Sequence, residues 1–149
     1  MNDLTAAYGE KGFTCLGFPS NQFGHQTNNK AHEIVPQLQH IRPGNGFTPN
    51  FPIFQRADVN GEKELPVFTF LKSKLPLPVG GDGEQLMKDP KAIIWSPVKR
   101  NDISWNFEKF LVNKDGVPVK RYSRRYPTAD IKKDIEALIA EQVVDPIAV

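Results

Sequence analysis

Three side chains of this sequence offer hydrogen-bond donors that carry no charge. Gln22 presents an amide from a polar loop, Trp105 an indole N–H, and Asn106 a second amide beside it. Neutral donors of this kind suit a preorganised pocket that stabilises an anion. A structural reading competes with the functional one, with Gln22 as an exposed loop amide and Trp105 as a packing anchor.

Cationic chemistry concentrates near the C-terminal end. Residues 117–133 hold six bases, Lys120, Arg121, Arg124, Arg125, Lys132 and Lys133, against one acid, Asp130, although the chain's net charge is only +2. Such a patch attracts small carboxylates, phosphates or a nucleic-acid backbone. The plain alternative is a solvated basic face. Nucleic-acid binding would need aromatic or groove-reading elements beside the patch, and only Tyr122 and Tyr126 are near, so no nucleic-acid partner is expected.

The single cysteine, Cys15, rules out an intrachain disulfide, a C-x-x-C redox pair and a cysteine zinc site within these residues. It lies in the apolar run 13–18, where burial would leave its thiol inert. His25, His32 and His40 are scattered without metal-ligand spacing, and no metal is expected. No stretch approaches the ~20 apolar residues that span a bilayer, so no membrane association is expected. The first ten residues are polar and acidic, unlike a secretory signal.

These groups need elements to position them. The 149 residues, 39% hydrophobic and 24% charged, fit a single domain over 1–149. Asn2 is placed to cap a short helix with Leu4 and Tyr8 on one face, stopped at Gly12. The run 13–18 predicts a fully buried parallel strand, and residues 20–26 a loop at its carboxyl end, where α/β sheets build sites. A helix follows over about 29–40 with a stripe of Ile34, Leu38 and Ile41. Residues 47–59 predict a strand with an irregular approach, closed by an Asn60-Gly61 turn. Pro66 starts a helix carrying Phe68, Leu71 and Leu75, and 76–90 reads as a surface loop. Residues 107–112 and 117–122 form an antiparallel pair around the turn 113–116. Thr128 is placed to cap a last helix with Ile131, Ile135, Leu138 and Ile139 inward. The fold class is α/β, a central mixed sheet flanked by helices. A buried parallel strand that follows a helix expects a partner strand before that helix, so the order suggests a truncated N-terminal β-unit.

Three segments carry a family resemblance that covers residues 1 to about 142. Leu16-Gly17-Phe18-Pro19-Ser20-Asn21-Gln22-Phe23-Gly24-His25-Gln26 resembles the G-F-P-C-N-Q-F motif of glutathione peroxidases, with Ser20 where cysteine is usual. Trp105-Asn106-Phe107-Glu108-Lys109-Phe110-Leu111-Val112 resembles their W-N-F-x-K-F-L signature. Ile41-Arg42-Pro43-Gly44 and Arg121-Tyr122-Ser123-Arg124-Arg125 are similar to motifs of the tetrameric, glutathione-using branch.

The resemblance implies a thioredoxin-like fold and reduction of hydrogen peroxide and organic hydroperoxides by glutathione, in protection against oxidative stress. It implies that Gln22, Trp105 and Asn106 form the catalytic shell. Arg124 and Arg125 would bind glutathione, with Arg42 assisting, because arginine's planar fork suits the carboxylates of that tripeptide, and Lys30 is a further candidate beside them. The family's nucleophile is a selenocysteine or cysteine that would fall before Met1, so the expectation is a chain inactive by itself. The contrasting expectation is a non-catalytic thioredoxin-like module. With Ser20 in place of a cysteine, direct reduction by glutathione is favoured over a thioredoxin-linked route. No bound cofactor, a homotetramer using 51–78 at its interface, and a cytoplasmic location, with secretion left open, complete the expectations.

Overall fold

The computed structural model describes residues 1–27, 30–80 and 89–143. Four α-helices and one hairpin order the chain: α1 (Asn2–Tyr8), α2 (Ala31–His40), α3 (Pro66–Lys74), β1 (Lys109–Val112), β2 (Pro118–Tyr122) and α4 (Lys132–Val143). The architecture is α/β, with a parallel pairing and the hairpin in place of a single hydrogen-bonded mixed sheet among the described residues.

Helix α1 starts one residue earlier than the Asn2 cap implies. Met1 is its N-cap, and the Asn2 side chain instead donates to the Thr48 carbonyl (2.8 Å) and accepts from the Asn50 amide (3.3 Å). Gly12, at φ +86, ends the 3-10 turn that follows, a left-handed conformation that glycine adopts without a Cβ clash.

The run 13–18 is extended and parallel to 52–57, through Gly17 N to Pro52 O (2.9 Å), Phe54 N to Gly17 O (2.8 Å) and Ala57 N to Pro19 O (2.9 Å). The expectation of full burial fails. Leu16 is 54% exposed, and Cys15 is half-buried with its Sγ 3.6 Å from Met1 Sδ. A strand is enclosed only when both of its edges and faces are covered. Here only the edge facing 52–57 is paired; among the described residues the Leu16 and Phe18 backbone groups have no backbone partner.

The apolar residues sort into two clusters. Leu4, Tyr8, Leu111, Tyr122, Ile131 and Ile135 join α1, the hairpin and α4. Phe23, Val59, Phe68, Leu71, Trp95 and Ile103 join α3 to the loops after the parallel pair. Phe18 ties that pair to α3, stacked on Phe54 at 4.5 Å and edge-on to Phe68 at 5.3 Å. Pro66 opens α3 as expected, while Leu75 is its C-cap. In α2 only Ile34 of the expected stripe is buried, and Ile41, its C-cap residue, is 75% exposed. Thr128 opens a 3-10 turn behind Pro127 and caps no helix; Ile131 and Ile135 are buried as the spacing indicates. The predicted loop 76–90 lies partly outside the described residues. Within it, Val79 pairs with the outer edge of β2 through Val79 N to Arg121 O (2.8 Å) and Ser123 N to Val79 O (2.9 Å). The hairpin turns at Asn113, whose Oδ1 accepts from Asp115 N and Val117 N.

Arg121, placed by its sequence in a basic patch, is instead buried at 2% exposure. Its Nε donates to Glu108 Oε2 (2.8 Å), Nη1 to the carbonyls of Leu75, Pro76 and Asn101, and Nη2 to that of Asp102 (3.1 Å). Of the other bases in the patch, Lys120 pairs with Asp134 at 2.9 Å. Breaking a buried pair strands a charge and costs about 3–5 kcal/mol, whereas replacing both partners by apolar groups is often near neutral. Arg121→Met should therefore lower the urea midpoint sharply, and Arg121→Met with Glu108→Leu should recover part of the loss; equal midpoints for the two variants would contradict this.

Candidate functional site

The loop 20–27 leaves the parallel pair and turns back beside α3. Gln22, expected either as a donor or as an exposed amide, is 5% exposed. Its Oε1 accepts from Val59 N and Asn60 N, both at 3.0 Å, and its Nε2 donates to Asn60 O (2.9 Å). Two N–H donors on one oxygen fix the amide's orientation, since a flip would set NH2 against both of them. One proton of Nε2 is thereby engaged, and the second has no acceptor among the described residues.

Trp105 packs on Phe23 (ring centroids 5.9 Å) and against Gly24. Its indole N–H has no acceptor among the described residues, whereas the indole of Trp95 donates to Asp102 Oδ2 (2.9 Å). Packing therefore accounts for the ring of Trp105 and leaves its polar edge unused. Asn106 donates to Gln26 Oε1 (3.0 Å) and ties the Trp105 segment to the Gln22 loop. The guanidinium of Arg124 lies 5.8 Å from the centre of the Trp105 ring, in reach of a cation–π attraction.

Trp105, Asn106 and Arg124 thus lie against the loop that carries Gln22, through Phe23, Gly24 and Gln26, while the Gln22 side chain itself is bonded to Val59 and Asn60. Arg125 is exposed in the next position of the same turn. Lys30 and Arg42 are exposed beyond opposite ends of α2, a ten-residue helix about 15 Å long. Neither shares a hydrogen bond or ion pair with Gln22, Trp105 or Asn106.

Sequence reasoning missed the groups that hold the donors. Asn60, read only as part of a turn, is 1% exposed; its Nδ2 donates to Ile103 O (2.9 Å) and its Oδ1 accepts from Ile103 N (2.8 Å). Lys72 is 1% exposed and donates to Val59 O (3.0 Å), Asn60 Oδ1 (3.1 Å), Asp102 Oδ1 (3.1 Å) and Glu64 Oε2. One signal was available. Lys72 follows Phe68 by four, so it shares the inward face of α3, where an unpaired charge would be prohibitive. Also missed was an open cavity of about 450 Å³ beside Gln22, to which Arg56 and Lys63 add cations and Asp58 an acid.

Burial pushes the Glu64 carboxyl up. Hydrogen bonds from Lys72 and Thr69, and the charges of Lys72 and Lys99, outweigh it and leave the carboxyl below its ordinary value. A depressed carboxylate stabilises the fold above its unfolded pKa, and that contribution fades as pH falls through the folded one. Glu64→Gln should therefore flatten the acid limb of a stability–pH curve below about pH 4.5, the ordinary value of its carboxyl. An acid limb parallel to that of the parent chain would refute the assignment.

Comparison with known proteins places this geometry. Residues 1–72 match the glutathione peroxidase family profile. The chain is 60% identical to glutathione peroxidase 1 of Rattus norvegicus over 146 residues, covering 98% of this chain and 72% of the rat protein. It is 58% identical to glutathione peroxidase 1 of Bos taurus, over 95% of this chain and 68% of the bovine one. Among solved structures, T. cruzi GPX1 superposes with a TM-score of 0.56 at 30% identity, covering 93% of this chain and 68% of that one. The apo form of Trgpx, at 24% identity and a TM-score of 0.55, shares the thioredoxin-like fold.

Proposed function

The chain belongs to the glutathione peroxidase family, and from that premise we propose that its residues serve the reduction of a hydroperoxide by two molecules of glutathione, giving an alcohol (water, from hydrogen peroxide), water and glutathione disulfide. The observation that carries the reading is the unspent donor pair: the second N–H of the Gln22 amide and the indole N–H of Trp105, both neutral and both without an acceptor among the described residues. Donors held without a partner in the ground state can spend their strength on a charge that appears during reaction.

A chalcogenolate supplies the attack on the O–O bond, and these residues act on it. The donors of Gln22, Trp105 and Asn106 would keep it anionic at neutral pH and ease departure of the second oxygen. Arg124, standing over Trp105, would bring a glutathione carboxylate to the same place, with Arg125 beside it and with Arg42 and Lys30 as outlying cations. We place the attacking group, a selenocysteine or cysteine, away from Cys15. That thiol lies against Met1 and shares no hydrogen bond with the donor set. Ser20, 6% exposed, accepts weakly from the backbone N–H of Gln22 at 3.4 Å and supplies no sulfur. A homotetramer is supported by apolar side chains left exposed along 51–78, namely Phe54, Val67, Phe70 and Leu77. No helix among the described residues is long and apolar enough to cross a membrane; a cytoplasmic location is the reading we carry forward.

The 149-residue chain and its Cys15→Ser variant should show the same peroxide-dependent oxidation of glutathione, because Cys15 is not the nucleophile. Loss of turnover on that substitution alone would return the chemistry to Cys15. In the nucleophile-bearing enzyme, Trp105→Phe should slow the hydroperoxide step by on the order of a hundredfold, the usual effect of removing one such donor. For the cations, Arg124→Ala should weaken glutathione binding by calorimetry about tenfold, the loss of one charge-assisted contact. Unchanged affinity would remove Arg124 from the site.

A further inference from the structure

We propose that Lys72 is a positioning and polarising residue for Gln22, acting through the peptide unit that joins Val59 to Asn60. The inference rests on the catalytic role given to Gln22 above, and its geometry is independent of that role. A single peptide unit contains the Val59 carbonyl and the Asn60 N–H. Its oxygen accepts from the Lys72 ammonium at 3.0 Å, and its N–H donates to Gln22 Oε1 at 3.0 Å. A cation on the oxygen of an amide draws electron density from its nitrogen and strengthens the N–H as a donor. The same effect then repeats in the Gln22 side chain. Its Oε1, loaded by the amides of Val59 and Asn60, leaves Nε2 more electron-poor, and the protons of Nε2 become better donors. Charge at Lys72 is thus felt at the unspent N–H of Gln22 through two amide groups in series.

The surroundings of Lys72 support this role. The ammonium is 1% exposed, and its three protons are shared among four oxygens, those of Val59, Asn60, Glu64 and Asp102. All of its protons are engaged, so the group is held in one place. Two of the four acceptors, Val59 O and Asn60 Oδ1, belong to the two residues that grip Gln22. Asn60 Oδ1 also receives Ile103 N (2.8 Å), at the root of the segment that carries Trp105. One buried cation therefore touches the supports of both unspent donors. Phe68 and Leu71 already pack the inward face of α3, and a methionine at position 72 would extend that packing. What only a cation can add is the polarisation of the peptide.

The test reads Gln22 directly. In the isotopically labelled 149-residue chain, the Gln22 side-chain NH2 and the backbone amide of Asn60 give separate signals. Lys72→Met should move both upfield and quicken the exchange of the Asn60 amide with water about tenfold, as loss of a hydrogen bond's stabilisation implies. Lys72→Arg, which restores the charge, should bring both signals back toward the parent values. Glu64→Gln keeps the lysine and removes the negative charge of its closest partner; it should shift the same signals downfield, and it tests the relay even if Lys72→Met does not fold. Gln22 and Asn60 signals at parent positions in folded Lys72→Met, or in Glu64→Gln, would overturn the proposal. In the nucleophile-bearing enzyme, Lys72→Met should slow the hydroperoxide step and leave the KM for glutathione unchanged. A parallel loss of both would mark Lys72 as merely structural and also overturn it. Signals that move without a change in the hydroperoxide step would keep the relay and remove Gln22 from catalysis, so failure of the two readings is told apart.

Discussion

The buried ion pair of Arg121 with Glu108 is the constraint on which the rest of the structure hangs. A guanidinium at 2% exposure is tolerable only if nearly all of its N–H groups find oxygen, and the oxygens it finds come from distant stretches of chain. Leu75 and Pro76 close α3, Asn101 and Asp102 lie ahead of Trp105, and Glu108 lies just before β1. The demand of one side chain for five bonds thereby fixes where three segments meet. Glu108 passes the constraint on, since its second oxygen accepts from both the amide and the hydroxyl of Ser104. This closes residues 104–108 into a tight loop.

Asp102 joins that hub to a second one. Its carbonyl is held by Arg121, while its carboxylate receives Lys72, the Trp95 indole and the Lys99 amide. Each buried charge is costly alone, and the two cations and their carboxylates are tolerated together because each is hydrogen-bonded to several partners. The network runs from the hairpin through Asp102 and Lys72 to Asn60, and from there to Gln22. Donors 83 positions apart in sequence are placed by different means, Gln22 by this connected set of hydrogen bonds and Trp105 by packing on Phe23 and the second apolar cluster.

Local patterns in the sequence explain which parts of this were legible. The proline-led α3, the hairpin at Asn113 and the inward face of Ile131 and Ile135 all follow from periodicity and turn chemistry within about a dozen residues, whereas the parallel pairing of 17 with 53 spans 36 positions and was not legible. Gln22, Trp105, Asn106 and Arg124 were legible as donors and cation by residue type, and Trp105 and Asn106 pack and bond against the loop that carries Gln22. What could not be read was the fate of charges in pairs. Arg121 looked like one base among six because its partner, Glu108, lies 13 positions away across a hairpin. Lys72 went unread because its carboxylates are 8 and 30 positions distant. Burial of the run 13–18 failed for a related reason. Apolar composition records that a segment can be enclosed, while enclosure itself depends on which edges are paired.

The backbone at Phe107 shows what the network costs and what it secures. A phenylalanine at φ +66 sits in the left-handed region, at a penalty of about 1–2 kcal/mol for a residue with a bulky side chain. Its ring is 78% exposed, so packing does not offset that penalty. The offset comes from the neighbours: Glu108 must turn inward to meet Arg121 and Ser104, while Asn106 must turn outward to meet Gln26. Only a sharp reversal at position 107 lets adjacent residues do both. Two residues before the reversal, Trp105 packs by its ring on Phe23, and its N–H edge has no acceptor among the described residues, so the strain at Phe107 lies between the buried ion pair and the segment that carries this donor.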